Sequence, residues 1–256
     1  MNWNTASLLV LLGLLVALAL AEIRFHNHEV RASATDARLV TNFALGAMTM
    51  AANGMLPLTN LGSSLLAQHL DIGLADHLRS SWTAMFVLTV AAQTLVAYWT
   101  HRAMHAAPLF WRVHRVHHAD TFVDVSTSLR HHPVELLVTA PAAAAVILLI
   151  GTPVSVVLAS ETFLVAAALW GHADIRLPHR LDRALASVLV TPRVHRVHHS
   201  PDRHFHDSNF GDTFTVWDRL FGTFSGEPHR MRVGLDGQLD RADNLLDQVL
   251  SPLHAV

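Results

Sequence analysis

The pentapeptide H-R-V-H-H occurs twice in this chain, at His114–His118 and again at His195–His199. Each copy places three imidazoles at positions i, i+3 and i+4, which share one face of a helix. Another pair, His101 and His105, has the i, i+4 spacing. Side chains at these spacings lie within about 5–6 Å of one another, so two imidazoles can converge on one metal ion. The pattern therefore predicts a histidine-rich metal site built from helices that are distant in sequence.

Composition limits the chemistry of such a site. The chain has 20 histidines and no cysteine, which excludes disulfides, thiolate zinc sites and iron–sulfur clusters. Imidazole suits zinc, copper, iron and nickel. The Glu and Glu-x-x-His pattern of soluble di-iron bundles is missing, so the ligands would be almost all histidine. The formal net charge of −2 says nothing about a nucleic-acid partner, and we expect none.

Apolar segments predict an integral membrane protein, because half of the chain is hydrophobic and only 15% is charged. The segments are Ser7–Ala21, Leu39–Leu58, Trp82–Trp99, Val134–Ile150 and Val154–Trp170. The first also resembles a secretory signal peptide, but no arginine or lysine precedes it, which favours a retained membrane helix. The last two form a hairpin that either crosses the bilayer or re-enters it. Leu61–Leu78 is amphipathic and is predicted to lie at an interface or in a loop.

The predicted fold is an all-α membrane bundle of about four to five helices, with a cytoplasmic helical cap that carries the di-metal site. With the N-terminus outside, 17 of the 18 arginines fall on one side, leaving Arg79 on the other. The positive-inside rule then places the histidines on the cytoplasmic face, in a bacterial inner membrane. We expect membrane segments over 1–80, a catalytic domain over 81–226 and a polar tail over 227–256.

The three histidine boxes, H-x-x-x-H, H-x-x-H-H and H-x-x-H-H, resemble those of the fatty acid hydroxylase/sterol desaturase superfamily of membrane di-iron enzymes. The flanking blocks L-R-H-H-P-V-E, N-F-G-D and W-D-R-L-F-G-T are similar as well. By position, the resemblance implies nine ligands: His101, His105, His114, His117, His118, His172, His195, His198 and His199. One departure is Asp174, which stands where an asparagine is common.

The resemblance implies two iron ions, with zinc a substitute in isolated protein, and dioxygen-dependent hydroxylation or desaturation of a lipid. No heme, flavin or dinucleotide motif is evident, so a separate electron-transfer protein or reductase is expected to dock on the cytoplasmic face. Besides the ligands we expect no catalytic residue. The sequence predicts neither the particular lipid nor the oligomeric state.

For several further polar residues the sequence leaves two interpretations of their role open. His132 is a candidate ligand or supporting group, and His131 a weaker one; His204, with His206, is a solvated residue or a supporting group. Glu135 either supports a ligand or stabilises a helix start. Asp218 is the leading carboxylate to receive a ligand's N–H.

Glu161 lies in the middle of an apolar segment, where it either lines a channel or has a structural partner.

Two other functions remain open at this point. A zinc hydrolase would use a metal-bound water, but H-E-x-x-H is absent and eight or nine ligands exceed the needs of one zinc. A metal transporter or sensor would place histidines within the spans, whereas these lie at span ends. Metal analysis and assay would separate the three.

Overall fold

The protein is described by a computed structural model that covers residues 3–26, 36–74, 80–226, 232–237 and 241–254. Within these residues the chain is helical and contains no β-strand, which confirms the predicted all-α class. The α-helices are α1 Trp3–Phe25, α2 Asp36–Gly54, α3 Asn60–Leu70, α4 Trp82–Ala106, α5 Pro108–His118, α6 Leu136–Ile150, α7 Val154–His172, α8 His179–Leu185, α9 Pro192–His198, α10 Arg203–His206, α11 Val216–Leu220 and α12 Leu245–Leu250. Short 3₁₀ helices cover Val125–Leu129, Pro133–Glu135 and Ser251–Leu253.

Two predicted membrane segments continue as helices into the histidine region. The segment predicted to end at Trp99 is part of α4, which runs to Ala106 and therefore includes the first histidine box. Its end is set by Pro108, since the residue before a proline disfavours the helical conformation. Likewise α7 extends beyond Trp170 to His172. Histidines of the metal site therefore lie at the ends of α4 and α7, which belong to the apolar bundle.

The bundle has two apolar contact regions. In one, α1 packs on α7, with Leu18 against Leu169 and Ala173. In the other, α4 packs on α6 and α7 through Met85, Val146 and Val156, among others. The predicted hairpin is formed by α6 and α7. Because α1 packs along α7, it is part of the bundle rather than separate from it.

The ends of the helices define two faces. At one face α3 covers the α6–α7 turn, where the Ser64 hydroxyl donates to the Thr152 carbonyl at 2.5 Å. The Trp82 indole at the start of α4 donates to Ser155 at 3.1 Å at the same end. The last residues of α4 and α7 lie at the opposite face, with α5 and α9. We call this the metal face, since it contains the histidine boxes.

Three helical segments of the described chain are long and apolar enough to cross a membrane: Trp82–Ala106, Pro133–Ile150 and Val154–His172. α1 is 23 residues long and apolar in sequence. The inward face of α2 carries buried polar residues, among them Arg38 and Asn42. The count of four to five spans therefore stays a prediction. The end of the predicted Leu61–Leu78 segment, and Arg31, Arg79 and Arg230 of the arginine count, lie outside the described residues.

Candidate metal centre

The nine histidines implied as ligands come together in two buried groups. In each group, one ligand atom per residue lies within 4.8 Å of every other. The first group contains five residues, His101, His105, His114, His118 and His198. The second contains four, His117, His172, His195 and His199. Both H-R-V-H-H copies contribute to both groups, so the repeated motif supplies two adjacent sites.

Helix starts and lengths explain how each copy faces the centre. Proline occupies the first position of both α5 and α9, where the missing N–H costs nothing. The Thr191 hydroxyl also caps α9 by accepting from the Val194 amide at 3.4 Å. In α9 the helix ends at His198, and His199 is the capping residue that follows. The i, i+3, i+4 geometry predicted for these boxes is therefore present.

In four of these nine histidines the Nδ1 atom points at a backbone carbonyl. His101 donates to Phe210 at 2.8 Å and His198 to Ser208 at 2.7 Å. His117 donates to the Arg130 carbonyl at 3.1 Å, and His172 to the carbonyl one turn back in α7 at 2.8 Å. A carbonyl only accepts, so each of these Nδ1 atoms carries the hydrogen and a neutral ring has a bare Nε2.

These bare Nε2 atoms face one another. The Nε2 atoms of His101 and His198 are 2.9 Å apart, and those of His117 and His172 are 3.1 Å apart. Two lone pairs at this distance repel unless a proton or a metal cation lies between them. Among the described residues, Nε2 of His105, His114 and His118 has no hydrogen-bond partner either. Buried polar atoms normally have one, so the donor set fits metal ions.

Electrostatics favour a metal over a shared proton. Burial, together with neighbouring imidazoles, lowers the pKa of all six histidines in the two H-R-V-H-H copies below the usual range. Desolvation has this effect because it disfavours the charged imidazolium. The rings are therefore neutral at pH 7, which is the form that binds a metal.

Three carboxylates touch the outer nitrogens of the first group. Glu135 accepts from His114 Nδ1 at 3.3 Å and Asp207 from His105 Nδ1 at 3.3 Å. Asp212 lies 3.6 Å from His101 Nδ1. Such partners orient a ligand ring and raise its basicity. Of the two readings of Glu135, this contact supports the one in which it holds a ligand.

Asp218 supports a histidine indirectly, through hydrogen bonds to a backbone loop. Its carboxylate accepts from the backbone N–H of Phe210 at 2.8 Å and of Gly211 at 2.9 Å. The Phe210 carbonyl in turn accepts from His101, so Asp218 fixes the loop rather than the ring. The packing is tight, since a Cβ on Gly211 would lie 2.5 Å from the Phe214 carbonyl oxygen and 2.9 Å from Asp218.

Two predicted residues lie away from both groups. His132 accepts from the Val134 amide through Nδ1 and donates through Nε2 to the Val249 carbonyl at 3.1 Å. His204 is exposed and stacks edge-on with Phe205.

The neighbouring histidines, His131 and His206, lie against the two histidine groups instead. His131 stacks on His117 with ring centroids 4.5 Å apart, and His206 stacks on Trp111 beside His105. A geometric grouping of His105, His206 and Asp207 also exists, but Asp207 already accepts from His105, as a supporting carboxylate does.

Two acidic residues in doubt have identifiable partners. Asp174 is buried and pairs with Arg196, the arginine of the second H-R-V-H-H copy, at 2.6 Å. An asparagine there would not balance that charge. The Glu161 carboxylate lies beside the Asn60 side chain at the start of α3. This contact favours the structural reading of Glu161.

A cavity of about 340 Å³ reaches the histidines from within the bundle. Its walls come from α2, α4, α6 and α7. Most of their exposed surface is apolar, with Val96, Met104 and Ala143 among the apolar residues, and threonine, glutamine and histidine side chains line it as well. Rings from both groups close its inner end, among them His101 and His172. An apolar chain in this cavity would meet both sites at once.

Comparison with known proteins identifies related sequences. Residues 86–223 match the sequence model described as fatty acid hydroxylase, and this range is more than half of the chain. Alkylglycerol monooxygenase of Homo sapiens is 31% identical over 138 residues, covering 54% of this chain and 30% of the relative. Ornithine lipid hydroxylase OlsE of Rhizobium tropici is 27% identical over 175 residues, covering 67% and 51%.

Methylsterol monooxygenase 1 of Danio rerio is 30% identical over 135 residues, covering 50% of this chain and 42% of the relative. The chain spans only 28–33% of the length of the alkylglycerol monooxygenases it matches. No solved structure matches it at a significant level. The histidine boxes, the helical bundle and the match over residues 86–223 together show that this chain belongs to the fatty acid hydroxylase family.

Proposed function

We propose that the protein is a membrane-bound di-iron oxidoreductase that hydroxylates, or desaturates, an unactivated C–H bond of a lipid. The observation that carries this proposal is the pair of buried histidine groups whose bare Nε2 atoms face one another at the end of an apolar cavity. The named activities of three relatives are lipid hydroxylation or monooxygenation.

The ligand sets in this proposal are the two groups, one iron each. Bound there, a reduced iron pair would activate dioxygen for attack on a C–H bond. Iron is preferred to zinc because the related proteins are monooxygenases and hydroxylases, whereas zinc has no redox chemistry. Nine imidazoles in two groups also exceed the three or four ligands of a single zinc.

The chain's own residues supply position and a dry site. Apolar residues such as Val96 and Ala143 bind an alkyl chain, and the histidine rings at the cavity end define which carbon is within reach. Glu135 and Asp207 keep two ligand rings oriented. Burial of the nine histidines excludes bulk water, which protects a reactive site from side reactions. Electrons would come from a separate carrier at the metal face.

The substrate class is a membrane lipid with an alkyl or sterol body. Alkylglycerols, ornithine lipids and methylsterols are named for the relatives, and all combine a large apolar part with a polar group. The cavity wall fits the apolar part. Polar atoms of Thr49, Thr139 and Glu135 line the cavity as well and fit a polar group near the oxidised carbon.

The test compares lipid extracts of cells that express the wild-type chain or His198→Ala, under isotopically labelled dioxygen, by mass spectrometry. We expect a lipid that gains one labelled oxygen, or loses two hydrogens, only with the wild-type chain. Elemental analysis of the purified protein should find two irons per chain. One zinc, with a lipid hydrolysis product and no label, would replace this proposal with a hydrolase.

A further inference from the structure

The N-terminal helix α2 lies outside the residues that match the family, yet it enters the core beneath the histidines. Its side chains Arg38 and Asn42 are 1% and 0% exposed. α2 also approaches the 125–129 segment closely, since a Cβ on Gly46 would lie 2.9 Å from the Leu129 Cβ. Burying a charged or amide group costs free energy unless the group is hydrogen-bonded or ion-paired. Arg38 and Asn42 should therefore have partners in the core.

Arg38 ties α2 to the segment that follows the first H-R-V-H-H copy. Its guanidinium donates to both oxygens of Asp120, at 3.1 and 2.9 Å, and to the Phe122 carbonyl at 2.7 Å. It also pairs with Asp124. Asp120 is 0% exposed, so its carboxylate relies on these donors to offset the cost of burying a charge.

Asn42 connects this network to Arg130. Its amide nitrogen donates to Asp120 at 2.9 Å and to Ser126 at 3.0 Å, while its oxygen accepts from the Arg130 guanidinium at 2.9 Å. Both hydrogen-bonding ends of the amide are used. Two arginines and two aspartates therefore balance one another, with Asn42 as the neutral link between them.

Arg130 links the network of Arg38 and Asn42 to His117. Its guanidinium donates to the Val116 carbonyl at 2.7 Å, and its own backbone carbonyl accepts from His117 Nδ1 at 3.1 Å. One residue thus holds both the backbone before His117 and the ring of His117. His117 belongs to the four-histidine group. In the five-histidine group, the described partners of the rings lie elsewhere, in Phe210, Ser208, Asp207 and Glu135.

We propose that α2 is a positioning element for one of the two metal sites: Asn42 and Arg38 orient His117 through Arg130 and so set the affinity of the four-histidine group alone. This inference rests on the metal centre proposed above. It goes further by assigning a selective role to residues outside the family match. Loss of the network should loosen one site and leave its neighbour intact.

The principal variant is Asn42→Leu, which keeps the side-chain size but removes all three hydrogen bonds. Its matched control is Thr41→Val on the same helix, a 1% exposed residue whose hydroxyl donates only to the Asp243 carbonyl. The purified holoproteins are titrated with a chelator, and bound iron per chain is followed by elemental analysis. We expect one iron in Asn42→Leu to be held about 10–100-fold more weakly, the usual effect of losing a ligand's outer support. Both irons should be unaffected in Thr41→Val.

Double variants identify which site is affected. Asn42→Leu added to His172→Ala should cost little more, because both act on the four-histidine group. Asn42→Leu added to His105→Ala should deplete both irons, since independent sites add. Wild-type affinity for both irons in Asn42→Leu, or equal weakening of both, would overturn the proposal. If Asn42→Leu does not accumulate, Arg38→Lys decides by the same criteria, since it keeps the charge but loses the fork geometry. A wild-type chain that binds no iron would instead refute the metal centre itself.

Discussion

At the scale of single residues, six of the nine clustered histidines use their two ring nitrogens differently, because Nδ1 is hydrogen-bonded to a carbonyl or carboxylate while Nε2 is not. Nδ1 of His101, for example, donates to a carbonyl, and Nε2 faces the centre. The outer hydrogen bond fixes the tautomer and leaves the inner nitrogen as a lone-pair donor. The identity of the outer partner therefore controls the chemistry of the inner atom, which explains why backbone carbonyls serve as well as carboxylates.

Replacing His117 should remove one metal, whereas replacing His132 should not. We expect His117→Ala to lower bound iron from two per chain to about one and to abolish lipid oxidation, because it removes a ligand from the four-histidine group. His132→Ala is the matched control from the same region, since its ring contacts the Val249 carbonyl instead. Elemental analysis and the lipid assay measure both. Unchanged iron and turnover in His117→Ala would contradict the assignment.

The histidines that could be assigned to the metal centre from the sequence are those whose spacing repeats. The i, i+3, i+4 boxes were predictable because helical geometry brings such positions to one face. Isolated pairs were not. His204 and His206 are two residues apart, so one turn of helix can turn only one of them inwards, and sequence does not tell which. His131 and His132 pose the same problem, and Pro133 makes the local backbone extended rather than helical.

At the scale of elements, α1 and α2 each bind the metal-bearing segments through polar side chains, half-buried in α1 and buried in α2. For α2 these belong to the Arg38 network. For α1 it is Glu22, which accepts from the Val125 N–H at 2.7 Å and from the Asp174 N–H at 2.8 Å. Hydrophobicity alone predicted these two helices as simple membrane segments. It could not reveal their role, because the partners of Glu22 lie more than 100 residues away.

Removing the Glu22 carboxylate should destabilise the fold. Glu22→Ala would leave two buried N–H groups without an acceptor, a loss of about 1–3 kcal/mol in the free energy of unfolding for such groups. Arg24→Ala is the control, an exposed residue on the same helix whose loss should change stability by less than about 0.5 kcal/mol. Thermal unfolding of the purified protein in detergent measures both. Equal melting temperatures for Glu22→Ala and the wild-type chain would rule out this anchoring role.

At the scale of the whole molecule, the two faces of the bundle carry different residues. Its chain ends and turns alternate between two faces, and the histidines, Arg38, Arg115 and Arg130 lie together at the metal face. Arginine-rich segments stay in the cytoplasm during insertion. The asymmetry of 17 arginines to one supports our proposal of a cytoplasmic metal face, where a soluble electron carrier would have access while the lipid would enter the cavity from the bilayer.

This orientation can be tested without background, because the chain has no cysteine. Asp236→Cys places an exposed thiol among the polar residues of the C-terminal region, and Met55→Cys places one just beyond α2, where the side chain is 85% exposed. We expect a membrane-impermeant maleimide to label Met55→Cys in intact bacterial cells and Asp236→Cys only after the cells are opened. Both variants should be labelled equally in detergent, which controls for reactivity. Labelling of Asp236→Cys, but not Met55→Cys, in intact cells would place the metal face outside and would require an electron donor on that side of the membrane.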